Sequence, residues 1–399
     1  MLCVTVAAGL AACSRDKLPN VDTGDILPRT EAATETEEIF ETEREIADTE
    51  ATVTTDGRTE VTEPETHPIT EPITEAVTET AAPETEPATE PVTEPETERP
   101  NNMVMALDQM KEELVIYDMD GYSEGKSLDE LEVWSMPAGH CSGLKYRSNT
   151  VFGDVIVVAG ACTAMYAYPS GEKLWAAGSP GANPHSVELL PSGNLVVASS
   201  DDGILRLFYT SQLLTGKVGT ASRYMEVALT DAHGVVWDPG RQVLWALGRY
   251  ELKAYRLEGE GKREALVEIP EMVYALPEGK QWGHDLSPDY TDSRYLYATV
   301  GACVLRFDKE TGIFSEEIPS ADSLNRTNIK GFSNNRFGHY FASGEVGGGG
   351  IWGDWWKAPW CTDSIYYAYS DGSPDLNVLR LTSAERAFYK IRAFCGLYQ

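Results

Sequence analysis

The stretch from His185 to Tyr209, HSVELLPSGNLVVASSDDGILRLFY, decides the fold. It contains three short runs of apolar residues, and the turn residues of PSGN and SDDG separate them. Short runs rich in Val and Leu between Gly, Pro, Asn and Asp are typical of β-strands joined by tight turns. The stretch therefore predicts three consecutive antiparallel strands.

The same pattern occurs twice more, as HGVVWDPGRQVLWALGRYELKAY from His233 and HDLSPDYTDSRYLYATVGACVLRF from His284. The opening histidine and the aromatic residue ending the third strand are 23, 22 and 23 residues apart, at Phe208, Tyr255 and Phe307. Successive opening histidines are 48 and 51 residues apart. Strand-rich repeats of about 40–50 residues are typical of β-propeller blades.

The repeat continues in both directions. A unit opening at Lys145 ends at Tyr168, and another opens at Lys330 and is interrupted by a long Gly- and Trp-rich insertion. The first unit, from Met103, lacks an innermost strand, which the last apolar run, 388–394, can supply. Such closure leaves no open sheet edge. We predict an all-β fold, a six-bladed β-propeller over 102–399 whose C-terminal strand closes the first blade.

Two segments, Pro184–Asn194 (PHSVELLPSGN) and Tyr389–Arg392 (YKIR), resemble an uncharacterised family of bacterial secreted six-bladed propellers in the broad quinoprotein-like and WD40-like group. The resemblance extends from Met103 to the C-terminus. It implies the fold and an exported location, and it implies no activity, so function must be argued from the site.

Residues 14–101 differ sharply in composition from the rest. Between Asn20 and Pro100 the chain carries 24 of its 63 acidic residues but four of its 32 basic ones, and Phe40 is the only aromatic residue. Few apolar groups, frequent Pro and like-charge repulsion predict a disordered, extended stalk. The propeller is left only moderately acidic.

The first 13 residues, MLCVTVAAGLAAC, are a short apolar run ending in Leu10-Ala11-Ala12-Cys13. This ending resembles a lipobox, the signal after which bacterial lipoproteins are acylated on cysteine. It implies a signal over 1–13, lipid attachment at Cys13 and a place on the extracellular face of the bacterial cell membrane. The run is too short to span a bilayer, so membrane contact is expected through the lipid alone. The alternative is an apolar N-terminus unrelated to export.

We expect the protein to be a monomer.

One basic or imidazole side chain opens the innermost strand of each predicted blade. Arg147 and Arg392 follow two of them by two residues, which places them on the same face and deeper in the channel. A funnel of one charge sign attracts an anion such as a uronate, sulfate or phosphate group. The alternative is that these side chains neutralise buried carboxylates of Glu188, Asp285 or Asp108. The six positions are Lys390, Lys145, His185, His233, His284 and Lys330.

The three histidines also allow other chemistry. Each is a candidate catalytic base, and together they are candidate ligands of a divalent metal. The histidines are far apart in the sequence, and the neighbouring lysines would repel a metal cation. No cofactor is therefore favoured, and a divalent metal remains the secondary interpretation. No GxSxG, Walker or HExxH motif occurs.

The insertion of the last unit carries four tryptophans that could stack against sugar rings or pack beneath their own loop. They are Trp352, Trp355, Trp356 and Trp360, of which the first three are the candidate ligand contacts. The leading hypothesis is a surface-anchored propeller that binds an acidic or polar glycan, or a small anion, at the channel mouth. The alternatives are a lyase or hydrolase of acidic oligosaccharides and a protein-interaction scaffold. The acidity of the chain argues against a nucleic-acid partner.

Five cysteines fall in the propeller, so at least one is left over after pairing. The blade register places Cys141 and Cys162 on the same rim, close enough for a disulfide in an oxidising compartment.

Overall fold

The computed structural model describes residues 102–121, 126–160, 162–178, 183–210, 219–220, 224–316, 329–343, 360–370 and 377–398. The predicted signal and stalk lie outside these ranges. Within them, the strands form six sheets, and the helical structure consists of short 3-10 turns at Met119–Gly121, Leu128–Leu131 and Gly261–Arg263.

Each sheet is one blade, in which the strands follow one another from the channel outward. Blade 1 comprises β25 (Phe388–Ala393), β1 (Met103–Asp108), β2 (Glu113–Asp118) and β3 (Glu132–Pro137). Blade 2 comprises β4 (Cys141–Thr150), β5 (Gly153–Gly160), β6 (Cys162–Ala167), β7 (Lys173–Gly178) and a parallel edge strand, β11 (Gly219–Thr220). Blade 3 comprises β8 (Pro184–Leu189), β9 (Leu195–Ser199), β10 (Ile204–Phe208) and β12 (Tyr224–Ala228).

The other three blades have the same arrangement. Blade 4 comprises β13 (Gly234–Asp238), β14 (Val243–Leu247), β15 (Glu251–Glu258) and β16 (Ala265–Ala275). Blade 5 comprises β17 (Gly283–Pro288), β18 (Tyr295–Val300), β19 (Val304–Asp308) and β20 (Ile313–Ser315). Blade 6 comprises β21 (Ile329–Asn335), β22 (Gly338–Ser343), β23 (Ser364–Tyr369) and β24 (Asn377–Thr382).

The C-terminal strand closes the ring. β25 pairs antiparallel with β1, with Val104 opposite Ala393 and Ala106 opposite Ile391. Just before β25, the buried guanidinium of Arg386 lies 3.0 Å from the carboxylate of Asp108. The prediction of a six-bladed all-β propeller closed by its last strand is confirmed.

The hydrophobic core lies between blades rather than at the centre. Each inner strand packs against the inner strands of both neighbouring blades. Between blades 4 and 5, for example, Trp245 packs edge-to-face against Phe307 with ring centroids 5.4 Å apart. Burying one large apolar side chain of this kind stabilises a fold by roughly 1.5–3 kcal/mol. The centre of the ring is therefore free for polar side chains.

A bulge interrupts the inner strands of blades 1, 2, 3, 5 and 6 near their starts, for example between Cys141 and Gly143 and between Ile329 and Gly331. The extra residue at a bulge leaves the ladder, and its side chain is re-aimed. The glycine that follows lets adjacent inner strands touch, since a Cβ on Gly143 would lie 2.8 Å from the carbonyl oxygen of His185.

The C-terminal tail covers the far end of the channel, where the inner strands end. Phe394 stacks on Tyr146 with centroids 4.1 Å apart. Arg147 donates to the carbonyl oxygen of Leu397 at 3.3 Å and lies 4.6 Å from the ring centroid of Tyr398. The tail thus faces the deep side of the charged groups in the channel.

Cys141 and Cys162 lie on the same rim, because Cys141 pairs with Gly160 and Cys162 opens the next strand. The expected disulfide is wrong, since both residues are thiols. Each sulfur points to a main-chain carbonyl instead, Cys141 to Ala138 at 3.1 Å and Cys162 to Ala177 at 3.3 Å.

Candidate functional site

Six side chains, one from each blade, meet at the rim where the inner strands begin. They line a single cavity of about 370 Å³, a volume within the usual range for small-molecule sites. Among the residues that the structure describes, Gln109, Asn183 and Trp360 also line it. The six ring residues are Tyr389, Ser142, His185, His233, His284 and Lys330.

The positions of two predicted ring residues need correction. Lys145 and Lys390 do not line the cavity, and Ser142 and Tyr389 occupy the ring in blades 2 and 1. Lys145 lies three residues further along its strand than Ser142, and Lys390 follows Tyr389 directly. In blade 1 the shift is one residue, and Tyr389 lies where a bulge adds a residue to the strand. In blade 2 it is three residues, because counting back 23 residues from Tyr168 reaches Lys145 rather than Ser142.

The three histidines form a contiguous row along the cavity wall. The rings of His185 and His233 stack with centroids 4.2 Å apart and planes inclined by 16°. His284 meets His233 edge-to-face, with centroids 5.5 Å apart. Since each histidine comes from a different blade, the row exists only in the closed ring.

Each histidine has a polar neighbour that orients it. The hydroxyl of Tyr389 lies 3.2 Å from Nδ1 of His185, and Lys330 Nζ lies 2.9 Å from Nε2 of His284. Nδ1 of His233 lies 2.8 Å from the carbonyl oxygen of Asp231, so this nitrogen carries the proton in the neutral ring. Nε2 of His233 is then the acceptor.

Burial keeps these imidazoles neutral. Loss of water, with nearby positive groups in addition, lowers the pKa of His185 well below 6.5 and that of His284 to about 2. Burial also lowers the pKa of His233 to about 4, although Asp231 opposes the shift. The same loss of water lowers the pKa of Lys330 to about 8. Among the six side chains that meet at the rim, Lys330 is therefore the one that is charged at neutral pH.

Beneath the ring lie two buried ion clusters. Glu188 accepts from Lys145 at 2.9 Å and from Nε and Nη2 of Arg147 at 2.8 Å each. The second cluster joins Asp285 to Lys390 at 3.0 Å and to both terminal nitrogens of Arg392 at 2.6 Å.

These clusters settle which carboxylates the predicted basic residues contact. Glu188 and Asp285 are their partners, whereas Asp108 binds Arg386 near the ring closure. Lys145, Arg147, Lys390 and Arg392 are buried below the cavity rather than in its wall. Two carboxylates face four cationic side chains, so the layer carries an excess of positive charge. A positive layer under a water-poor cavity favours anions above it.

Sequence reasoning missed four residues of the cavity wall, and one signal could have found part of them. A glycine directly follows the ring residue in alternate blades, as in Ser142-Gly143, His233-Gly234 and Lys330-Gly331. This dipeptide marks the ring position in these three blades and would have corrected blade 2. The missed residues are Gln109, Ser142, Asn183 and Tyr389.

Trp352, Trp355 and Trp356 fall outside the described residues. Trp360, at the end of the same insertion, borders the cavity and is 40% exposed.

The metal interpretation finds no donor set in the part of the chain that the structure describes, where no three His, Cys, Asp or Glu side chains are placed to hold an ion. Parallel stacking of His185 and His233 points their ring nitrogens along parallel planes rather than toward one centre. Across the described ranges, no helix is long and apolar enough to cross a membrane.

Fold and site define a six-bladed propeller with a polar cavity at the rim where the inner strands begin. The chain belongs to a family of unknown function, DUF6528, whose family model matches residues 73–339. No curated protein matches the sequence.

Several solved structures are similar. A protein of unknown function from Bacteroides caccae shares 11% identity, with 73% of this chain and 98% of that chain covered and a TM-score of 0.48. A proposed 6-phosphogluconolactonase from Bacteroides fragilis shares 15% identity, with 73% and 84% covered and a TM-score of 0.46. A functionally unknown protein from Desulfotomaculum acetoxidans shares 11%, with 72% and 86% covered and a TM-score of 0.43.

Proposed function

We propose that the cavity binds an anionic ligand, best matched by an acidic sugar of a glycan. One observation carries the proposal. Among the described residues that line the cavity none is acidic, and directly below them four cationic side chains face two carboxylates. In an otherwise acidic protein this is where a carboxylate is attracted.

The wall offers what a uronate requires. The ammonium of Lys330 supplies the charge, and hydroxyls and amides supply hydrogen bonds to sugar oxygens. The indole of Trp360 can cover the apolar face of a sugar ring. Sulfate and phosphate share the charge of a uronate but make less use of the aromatic wall.

We further propose that the protein acts on the extracellular face of the bacterial cell membrane, attached through Cys13. The support is the Leu10–Cys13 sequence and the acidic, Pro-rich segment that follows it. A long extended tether would hold a binding propeller away from the membrane.

Calorimetric titration of the full chain with galacturonic acid, and with glucose as the neutral control, tests the binding proposal. We expect galacturonate to bind, glucose to bind far more weakly, and the affinity for galacturonate to fall as salt is added. Equal affinity for the two sugars, or binding of neither, would overturn the proposal.

A second candidate function is β-elimination on a uronate, favoured by the hydroxyl of Tyr389 at 3.2 Å from His185. A neutral imidazole can remove the proton from the carbon beside the carboxylate. The electrons of that carbon–hydrogen bond then form the new carbon–carbon double bond as the bond to the glycosidic oxygen breaks. The phenol, kept protonated because burial raises its pKa, can give that oxygen a proton. Ultraviolet absorbance of the unsaturated product detects this reaction, and unchanged oligogalacturonide after prolonged incubation would exclude it.

A further inference from the structure

A second aromatic feature lies beside the cavity, on the connections of blades 4 and 5. Trp282 and Tyr250 are both about half exposed, at 51% and 52%. The guanidinium of Arg249 lies 3.8 Å from the ring centroid of Trp282 and 5.8 Å from that of Tyr250. We call these three residues the rim platform.

The backbone fixes the platform in place. Trp282 has a φ of +71°, a conformation that is unfavourable for a bulky side chain. Its amide donates to the carbonyl oxygen of Arg249 at 2.8 Å. The two connections touch because Gly283 has no Cβ, which would lie 2.6 Å from the carbonyl oxygen of Gly248. A strained residue that keeps a large ring in solvent is typical of a functional position.

The platform is joined to the cavity wall. Nε of Arg249 lies 3.0 Å from the side-chain carboxylate of Asp231. The main-chain carbonyl oxygen of Asp231 in turn accepts a hydrogen bond from Nδ1 of His233. Trp282 precedes His284 by two residues. Both links lead to histidines that line the cavity, so a ligand longer than the cavity can continue onto the platform.

We propose that the rim platform is a second sugar subsite, which binds the neighbouring residue of a glycan whose acidic residue occupies the cavity. This inference rests on the proposed function. The indole presents an apolar face to the C–H groups of a sugar ring, and the guanidinium presents N–H donors to its hydroxyls or to a second carboxylate. Exposed Trp, Tyr and Arg also occur in protein-binding hot spots. Continuity with a cationic cavity favours the glycan.

The test is titration of the full chain with galacturonic acid and its oligomers up to the tetramer. In the wild type we expect affinity to rise with oligomer length. Trp282→Ala should lower tetramer affinity by about ten-fold, the size of one stacking contact, and leave the monomer affinity unchanged. Trp282→Phe should restore most of the loss, which a merely structural role would not predict.

Tyr224→Ala is the matched control. Tyr224 is 51% exposed, and the guanidinium of Arg206 lies 4.7 Å from its ring centroid, but it lies on an outer strand of blade 3. We expect this variant to bind all oligomers as the wild type does. Melting curves of each variant separate loss of binding from loss of folding.

The outcomes separate the two proposals. If the wild type binds the monomer and the tetramer equally, or if Trp282→Ala binds the tetramer as the wild type does, the subsite is refuted and the cavity proposal stands. If the wild type binds no member of the series, the cavity proposal fails and the subsite fails with it. Retention of a protein partner that Trp282→Ala loses, with glycan binding unchanged, would assign the platform to protein recognition.

Discussion

His185 and His233 stack their imidazole rings in parallel, with centroids 4.2 Å apart, although they come from neighbouring blades. Two stacked imidazoles at this distance cannot both become positively charged imidazolium ions without strong repulsion. The positive layer beneath them adds to the cost. The arrangement is therefore stable only while the row of histidines is neutral.

This neutrality predicts acid sensitivity. Because the folded-state pKa values of the three histidines lie below the unfolded value of about 6.5, the unfolded chain binds more protons as pH falls. Stability should be constant above about pH 7 and fall by about 2 kcal/mol per histidine at about pH 5. Denaturant unfolding at both pH values measures the loss. His233→Gln should reduce the loss, whereas His140→Gln, at a half-exposed position, should not. Identical losses in all three proteins would contradict the prediction.

Ligand binding should depend on the charge of Lys330. Burial lowers the pKa of Lys330 to about 8, so this side chain loses its charge above about pH 8. A bound carboxylate favours the protonated form of the lysine, so near pH 8 it is bound together with a proton. We expect galacturonate affinity to be constant near neutral pH and to decline above pH 8. Titrations at pH 8 in buffers of different ionisation enthalpy would detect the proton uptake.

Lys330→Gln should lower galacturonate affinity about ten-fold or more, because it removes the charged group of the ring. Lys262→Gln is the control, since Lys262 lies in an exposed turn between β15 and β16 on the opposite rim. Equal affinities of the two variants would rule out Lys330 as the anion contact.

Glu188→Gln should destabilise the propeller by about 3–5 kcal/mol, since it leaves Lys145 and Arg147 buried with no full counter-charge. The exposed ion pair of Arg256 and Glu258 provides a control, and Glu258→Gln should cost less than about 1 kcal/mol. Both values come from denaturant unfolding at neutral pH. A small effect at Glu188 would mean that water reaches the lower layer.

Arg386→Met tests the closure of the ring. Arg386 contacts the carboxylates of Asp108, Glu113 and Glu132 at 2.7–3.0 Å. We expect a loss of about 3 kcal/mol and faster amide hydrogen exchange in β25 and β1 than in blade 4. Uniformly faster exchange across all blades would show that the closure is not a separate weak point.

The proposed anchor is tested by Cys13→Ala. Without the thiol no lipid can be attached, so the protein should move from the membrane fraction to the soluble or secreted fraction. Continued attachment after washing without detergent would contradict a lipid anchor at this residue.

The fold was predictable because each blade repeats the same spacing of strands and turns, and because the 388–394 segment had no other place than blade 1. The stalk boundary rested on composition alone. His185, His233, His284 and Lys330 were placed correctly in the ring, since each directly opens its repeat.

The remaining site residues were hidden by local geometry. In blade 1 a bulge shifts the register by one residue without a change in hydrophobic pattern, so Lys390 was placed too near the rim. In blade 2 the count from Tyr168 was wrong by three residues, so Lys145 was also placed too near the rim. The sequence offered Glu188 and Asp285 as possible partners of the basic residues. It could not assign Lys145 to Glu188 and Lys390 to Asp285, because each pair joins strands from different blades. Trp282 escaped notice because its φ and its contact with Arg249 are properties of the folded chain.

The closure of blade 1 by β25 has a mechanical consequence. β1, the first strand of the propeller, is an interior strand with hydrogen-bonded neighbours on both sides, β25 and β2. A pulling force applied through the N-terminus enters at Met103 and acts along this strand, so the ladders on both sides must shear together rather than open one bond at a time. Since one of those ladders belongs to the last strand of the chain, tension at one terminus is resisted by the other.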